Sequence, residues 1–196
     1  MTARAPWPPA SLAAVDWIGG TESMVAGALV AGLLCGAAAT VLQRQIGWLS
    51  AVAWCGLAWW LVVIGLVTLV PLSGIDLGIP AEARSDTCSL DYGGPAPEGF
   101  WIFSGTQRLL NTALFVPAGA LLVIAAARWR IGWVVAPLGL LLLGGYSLAI
   151  ELTQLEVARI DRACDVTDLV DNVTGAAIGF AIGLLLTPLL RPWRHG

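Results

Sequence analysis

The feature that most constrains this chain is a series of five apolar runs. Each is about 20 residues long, the length that an α-helix needs to cross the hydrocarbon core of a bilayer. Inside lipid a helix satisfies all backbone hydrogen-bonding groups within its own segment, so each run is expected to be a transmembrane helix. Only 12% of the residues are charged, against about 25% in a soluble domain. The sequence therefore predicts an all-α, integral membrane helical bundle with a single membrane domain over residues 1–196. The predicted spans are residues 23–42, 50–71, 109–127, 131–153 and 168–187.

The distribution of arginine predicts the orientation of this bundle. The chain contains no lysine, and five of its ten arginines lie in three segments that contain no acidic residue. These segments follow the first, third and fifth spans, and their arginines are Arg44, Arg128, Arg130, Arg191 and Arg194. The N-terminal tail, the loop 72–108 and the region 151–172 carry all 13 acids and a net charge of −8. The positive-inside rule then predicts an outside N-terminus, an inside C-terminus and one long extracytoplasmic loop.

The four cysteines fall into two pairs by position. Cys35 and Cys55 lie within predicted spans and are interpreted as small apolar packing residues. Cys88 and Cys164 lie in the two predicted outer segments, on the oxidising side of the membrane. The sequence therefore favours a Cys88–Cys164 disulfide, with two unrelated free thiols as the alternative.

Polar residues concentrate at the predicted outer ends of spans three, four and five. Glu151 and Gln154 are three positions apart and share a helix face. Asp165 is in the position of an N-cap, and Asp168 falls in the first turn of the fifth span. We call the eight residues that are predicted to converge there the outer cluster. Its members are Arg108, Asn111, Glu151, Gln154, Arg159, Asp165, Asp168 and Asn172.

Four charged neighbours of the outer cluster are left out of it. Glu156, Asp161, Arg162 and Asp171 are interpreted as solvated or purely structural. The outer cluster itself also has a structural interpretation, because hydrogen bonds and ion pairs at helix ends can hold a bundle together without binding a ligand.

The side chains of the outer cluster suggest two kinds of ligand. Arginine suits phosphate, because its planar guanidinium presents paired donors. The carboxylates of Glu151, Asp165 and Asp168 are candidate ligands for a divalent cation, which prefers oxygen. A metal-assisted enzyme acting on a membrane lipid is thus an alternative function. The only histidine, His195, lies in the predicted cytoplasmic tail, which disfavours chemistry that needs a histidine in the outer cluster.

Three sequence motifs together resemble the VanZ-like family of small membrane proteins. They are Asn111-x-x-x-Phe115-x-Pro117-x-Gly119, then Glu151-x-x-Gln154 with Arg159 downstream, and finally DVTDLVDNVTGAAIG over residues 165–179. The resemblance covers about residues 105–183. It implies an α-helical protein of the cell membrane with a role in the cell envelope. The founding member of the family is linked to low-level resistance to teicoplanin, a lipoglycopeptide.

These observations lead to specific expectations about partners. We expect a membrane lipid head-group to be bound, with a lipoglycopeptide as a further candidate, and no nucleic acid. A divalent cation is the candidate cofactor. A structural or partner-binding membrane protein remains the third interpretation, and the sequence leaves the catalytic residues and the oligomeric state open.

Overall fold

Five long helices form the bundle. The computed structural model describes residues 20–70, 88–90, 101–156 and 164–194. The helices are α1 (Gly20–Ile46), α2 (Trp48–Leu69), α3 (Trp101–Ala126), α4 (Gly132–Glu156) and α5 (Val166–Leu190), followed by a short 3₁₀ turn over Pro192–Arg194. All five are long and apolar enough to cross a membrane. The described residues contain no β-strand, only one isolated bridge between Ser89 and Asp165.

The architecture confirms the predicted fold class. Each predicted span corresponds to one observed helix, and the ends agree within a few residues except at the start of α3, which begins at Trp101, eight residues before the predicted span. Helix α3 continues through Pro117, and α4 and α5 also contain a proline, Pro137 and Pro188. The orientation of the bundle relative to the two sides of the membrane remains a prediction from the arginine pattern.

The closest helix pair is α3 with α5, and glycine makes that approach possible. A methyl group on Gly175 would overlap the carbonyl oxygen of Thr112, and one on Gly179 would overlap that of Val116. On the other helix, Gly119 faces the backbone of Ala176 in the same way. Small residues at such positions let helix backbones pack directly in lipid, where association depends on van der Waals contact. The two helices therefore pack backbone against backbone from Gly175 to Gly183 of α5.

The remaining helices pack around this pair. Phe115 of α3, Ile64 of α2 and Ile150 of α4 are fully or almost fully buried and belong to one hydrophobic cluster. The indole of Trp60 also joins α2 to α3 by donating a hydrogen bond of 2.7 Å to the carbonyl oxygen of Leu114. By contrast, α1 packs mainly against α2 and has no buried residue.

The alternating direction of the helices sets the location of the outer cluster. The end of α2, the first turns of the described part of α3, the end of α4 and the start of α5 all lie at one end of the bundle. Hydrogen bonds between these ends, described below, connect α2 to α4, α3 to α5 and α4 to α5. Residues that are far apart in sequence are therefore neighbours at this end.

Candidate functional site

One polar contact of the outer cluster joins Arg108 of α3 to Asp171 of α5 through two hydrogen bonds. The Arg108 Nε donates to Asp171 Oδ2 at 2.9 Å, and its Nη2 donates to Asp171 Oδ1 at 3.0 Å. Two nitrogens thus face two carboxylate oxygens, the geometry in which an arginine–carboxylate pair is strongest and most directional. The two side chains differ in exposure, since Arg108 is 42% exposed and Asp171 only 8%.

The sequence analysis left Asp171 out of the outer cluster as solvated or purely structural, and the structure places it at the same end of the bundle, beside Arg108. The carboxylate is buried at the α3–α5 contact and is the ion-pair partner of Arg108. A sequence signal for this position does exist. Gly183, Gly179 and Gly175 all face α3, and continuing their four-residue step toward the start of α5 leads to Asp171 and then Thr167.

Glu151 links the end of α4 to the start of α5. Its side chain is buried, with 3% exposed, and its Oε2 accepts a hydrogen bond of 3.2 Å from the backbone N–H of Asp165. Asp165 in turn caps α5, because its Oδ1 accepts from the N–H of Thr167 at 2.8 Å. Asp168 lies in the first turn of the helix, where a carboxylate is favoured by the helix dipole. The N-terminus of α5 is thus held by acidic side chains from two helices.

Gln154 and Asn172 are buried and bonded inside the bundle. Gln154 donates through Nε2 to the carbonyl oxygen of Thr68 on α2 at 3.0 Å. Asn172 donates through Nδ2 to Ser147 Oγ on α4 at 3.0 Å. Their exposed fractions are 5% and 4%. Their amide N–H groups are thus directed at neighbouring helices, as polar groups in lipid require.

Two members of the outer cluster are placed differently. Asn111 is half-buried on α3, one helical turn from Arg108. Arg159 lies outside the described residues, as do Asp161 and Arg162. The structure therefore brings Arg108, Glu151, Gln154, Asp165, Asp168 and Asn172 to one end of the bundle and adds Asp171 to them.

A disulfide connects the long loop to the entry of α5. Cys88 and Cys164 are joined, with their Cα atoms 4.6 Å apart, and the other two cysteines, Cys35 and Cys55, are free thiols. Two backbone hydrogen bonds flank the disulfide, from the N–H of Ser89 to the carbonyl oxygen of Cys164 and from the N–H of Val166 to the carbonyl oxygen of Ser89, both at 3.0 Å. Residues 88–90 are therefore held next to Asp165, the N-cap residue of α5.

The three candidate metal ligands, Glu151, Asp165 and Asp168, are not gathered into a group of three in the described part of the chain. Among the described residues no group of three or more His, Cys, Asp or Glu side chains is arranged to hold a metal ion. Glu151 and Asp165 interact through a side-chain oxygen and a backbone N–H, which turns the Glu151 carboxylate toward a donor. The described part of the cluster is therefore built from hydrogen bonds and an ion pair.

Comparison with known proteins identifies a family for this chain. The VanZ/LLP1 family model matches residues 57–187. The match covers two thirds of the chain and begins in α2, well before the core of about 105–183 to which the sequence motifs pointed. Searches of curated proteins and of solved structures found no match. All the hydrogen-bonded ends of α2, α3, α4 and α5 lie within the matched residues, and the chain belongs to the VanZ/LLP1 family.

Proposed function

We propose that this membrane protein binds the anionic head-group of an envelope lipid at the outer ends of α3, α4 and α5, with Arg108 as the main contact. The observation that carries the proposal is the unequal exposure of the Arg108–Asp171 pair. The carboxylate is buried against α3, whereas 42% of the arginine side chain is accessible. The accessible partner is thus the cation, and it is the first residue of the apolar span Arg108–Ala126, where we expect the phosphates of a bilayer.

The ion pair also prepares Arg108 for a ligand. A guanidinium has five N–H donors in a fixed plane, and a carboxylate bonded to two of its nitrogens fixes the orientation of that plane. A phosphate oxygen that approaches from the accessible side then meets a cation whose side-chain entropy has already been lost to Asp171. Arginine binds phosphate in this way more specifically than lysine, because its donors are paired and coplanar.

A structural role is favoured for another part of the cluster. Gln154 and Asn172 are almost completely buried and bond to Thr68 and Ser147 on adjacent helices. A ligand could reach them only if those hydrogen bonds were broken. We therefore assign the ligand contact to Arg108 and its surroundings and assign Gln154 and Asn172 to the stability of the bundle.

Native mass spectrometry of the protein in mild detergent tests this division. The wild type, Arg108→Gln and Asp171→Asn would each be equilibrated with vesicles that contain equal amounts of phosphatidylglycerol and phosphatidylcholine. We expect Arg108→Gln to lose about tenfold in anionic lipid occupancy, the effect of about 1.4 kcal/mol in binding. Asp171→Asn should retain the lipid, because an asparagine oxygen still accepts from Arg108 and the competing negative charge is gone. Equal losses in both variants would mean that the pair only holds α3 against α5.

The family relationship supports an envelope role for such binding, including tolerance of teicoplanin. Bacteria that depend on this protein for tolerance should become more susceptible to teicoplanin when they carry Arg108→Gln at wild-type protein levels. A glycopeptide without an acyl chain is the matched control compound. An unchanged minimal inhibitory concentration of teicoplanin in cells that carry Arg108→Gln would separate the lipid site from antibiotic tolerance.

A further inference from the structure

The opposite end of the bundle contains a second feature, a cleft of about 440 Å³ between α1 and α2. It takes no part in the outer cluster. Its lining is mostly apolar, from Gly32, Cys35, Gly36 and Ala39 on α1 and from Val52, Cys55, Gly56 and Trp59 on α2. Two polar side chains, Thr40 and Gln43, lie at one end of it.

The cleft lies between two levels at which α1 and α2 are held together. At one level the indole N–H of Trp59 donates to the carbonyl oxygen of Ala28 at 2.8 Å, and a methyl on Gly27 would lie 3.1 Å from the Leu66 side chain. At the other level the helices are joined by the single residue Gly47, whose φ of 74° permits the abrupt reversal. Between these levels a methyl on Gly36 would meet no atom within 4 Å.

The dimensions of the cleft match one leaflet of a bilayer. From Gly32 to Gln43 the lining of α1 advances about 16 Å at 1.5 Å per residue, close to half of the ~30 Å hydrocarbon core. The Trp59 end therefore lies near the middle of the membrane, and the Gln43 end lies at its surface. The residues that line an open gap between helices lack dispersion contacts on that side. In a membrane, lipid acyl chains can enter the gap and supply those contacts.

The positive charge near the Gln43 end of the cleft indicates which kind of lipid would bind. Arg44 is in the last turn of α1, directly after Gln43, and residues 40–50 contain no acidic residue. A basic residue beside the membrane surface attracts anionic lipid. The arginine distribution predicts that this surface is the cytoplasmic one.

We propose that the cleft between α1 and α2 is a binding site for one anionic phospholipid of the leaflet at the α1–α2 turn. One acyl chain occupies the apolar slot from Gly36 to Trp59, and the phosphate lies beside Gln43 and Arg44. This site is independent of the proposed function, because it lies at the other end of the bundle and contains no residue of the outer cluster.

A substitution that fills the cleft tests the proposed lipid site most directly. Gly36→Leu places a side chain in the open space, and Gly145→Leu is its matched control, since a methyl on Gly145 also meets nothing within 4 Å but lies on α4, outside the cleft. Both changes replace an exposed helical glycine, so they should alter the helix itself equally. Each protein would be reconstituted in bilayers of phosphatidylcholine with phosphatidylglycerol that carries a diazirine on its acyl chain, then irradiated and mapped by peptide mass spectrometry.

In the wild type and in Gly145→Leu we expect crosslinks concentrated in residues 32–43 and 52–59. Gly36→Leu should reduce them by about tenfold, and Arg44→Gln should reduce them by about fivefold, because one arginine near the surface is lost. Arg108→Gln should leave them unchanged, which separates this site from the outer cluster. Crosslinks spread evenly over all lipid-facing residues, or an equal yield from the two leucine variants, would overturn the proposal. Circular dichroism of each variant confirms that it is folded before the yields are compared.

Discussion

Arg108 and Asp171 lie 63 positions apart in sequence and are joined by two hydrogen bonds, of 2.9 and 3.0 Å, across the contact between α3 and α5. The acid is the buried partner and the base is the accessible one. The ion pair joins α3 to α5, and under the proposed function the exposed part of the arginine also contacts a lipid head-group. The stability of the helix pair needs both residues, whereas the proposed lipid contact needs only Arg108. Substitutions can therefore separate the two roles.

A double-mutant cycle on this pair should reveal strong coupling. Arg108→Gln leaves a mostly buried carboxylate without its cation, and we expect a loss of about 2 kcal/mol in the free energy of unfolding. Asp171→Asn removes the same ion pair, so the double variant should be less destabilised than the sum of the single variants. Denaturation in mixed micelles, followed by circular dichroism at 222 nm, measures all four proteins. Additive losses would show that the two residues act independently.

The glycine contact between α3 and α5 predicts a large effect of a single methyl group. In Gly175→Ala the new methyl would overlap the carbonyl oxygen of Thr112, so the helices must separate. Overpacking of this kind costs about 1–3 kcal/mol. Gly145→Ala is the control, because its methyl would meet no atom within 4 Å and should be neutral or stabilising. The same denaturation assay compares them, and the prediction fails if Gly175→Ala is as stable as Gly145→Ala.

The sequence predicts the helices well because lipid imposes a simple rule. An apolar run of about 20 residues must be helical in a bilayer, so all five spans follow from composition and length alone. The concentration of polar residues at the ends of α3, α4 and α5 is visible for the same reason, since such residues are rare in lipid and face the interior of a bundle.

The partners within the site are harder to predict, because they depend on how one helix is rotated against another. Steps of three and four residues from Gly175 lead to Asn172 and Asp171, and the packing of α3 and α4 decides that the first faces Ser147 and the second Arg108. Gln154 donates to a backbone carbonyl of α2, 86 positions away. Every residue has a backbone carbonyl, so the sequence does not indicate which one accepts this hydrogen bond.

The oxidation state of the cysteines gives a direct chemical test of the described loop segment. Under denaturing, non-reducing conditions an alkylating reagent should modify only Cys35 and Cys55, because Cys88 and Cys164 are joined. After reduction all four thiols should react. Intact-protein mass spectrometry counts the added groups, and four additions before reduction would contradict the disulfide in the protein as produced.

The predicted orientation is also open to a simple measurement. A green fluorescent protein fused after the last residue should fluoresce, because the arginine pattern predicts a cytoplasmic C-terminus. Alkaline phosphatase fused within residues 72–87 should be active, because it would be exported with the loop. The reverse fusions, phosphatase at the C-terminus and fluorescent protein in the loop, serve as controls and should be inactive. An active phosphatase at the C-terminus would require the opposite topology.

The division of the outer cluster into a ligand contact and a structural part predicts that two substitutions at the same end of the bundle both lower stability but differ in their effect on lipid binding. Gln154→Met preserves the length of a buried side chain but removes the hydrogen bond to the Thr68 carbonyl oxygen, so the bundle should lose about 1 kcal/mol. Its anionic lipid occupancy should stay at the wild-type level, because Gln154 is only 5% exposed.

Arg108→Gln should instead lose most of the bound lipid even under conditions where it is fully folded. Measuring lipid occupancy by native mass spectrometry and stability by denaturation on the same samples separates the two effects. If Gln154→Met lost lipid as strongly as Arg108→Gln, head-group binding would depend on the integrity of the whole cluster rather than on the accessible arginine. If neither variant lost lipid while both were less stable, the outer cluster would serve the bundle alone.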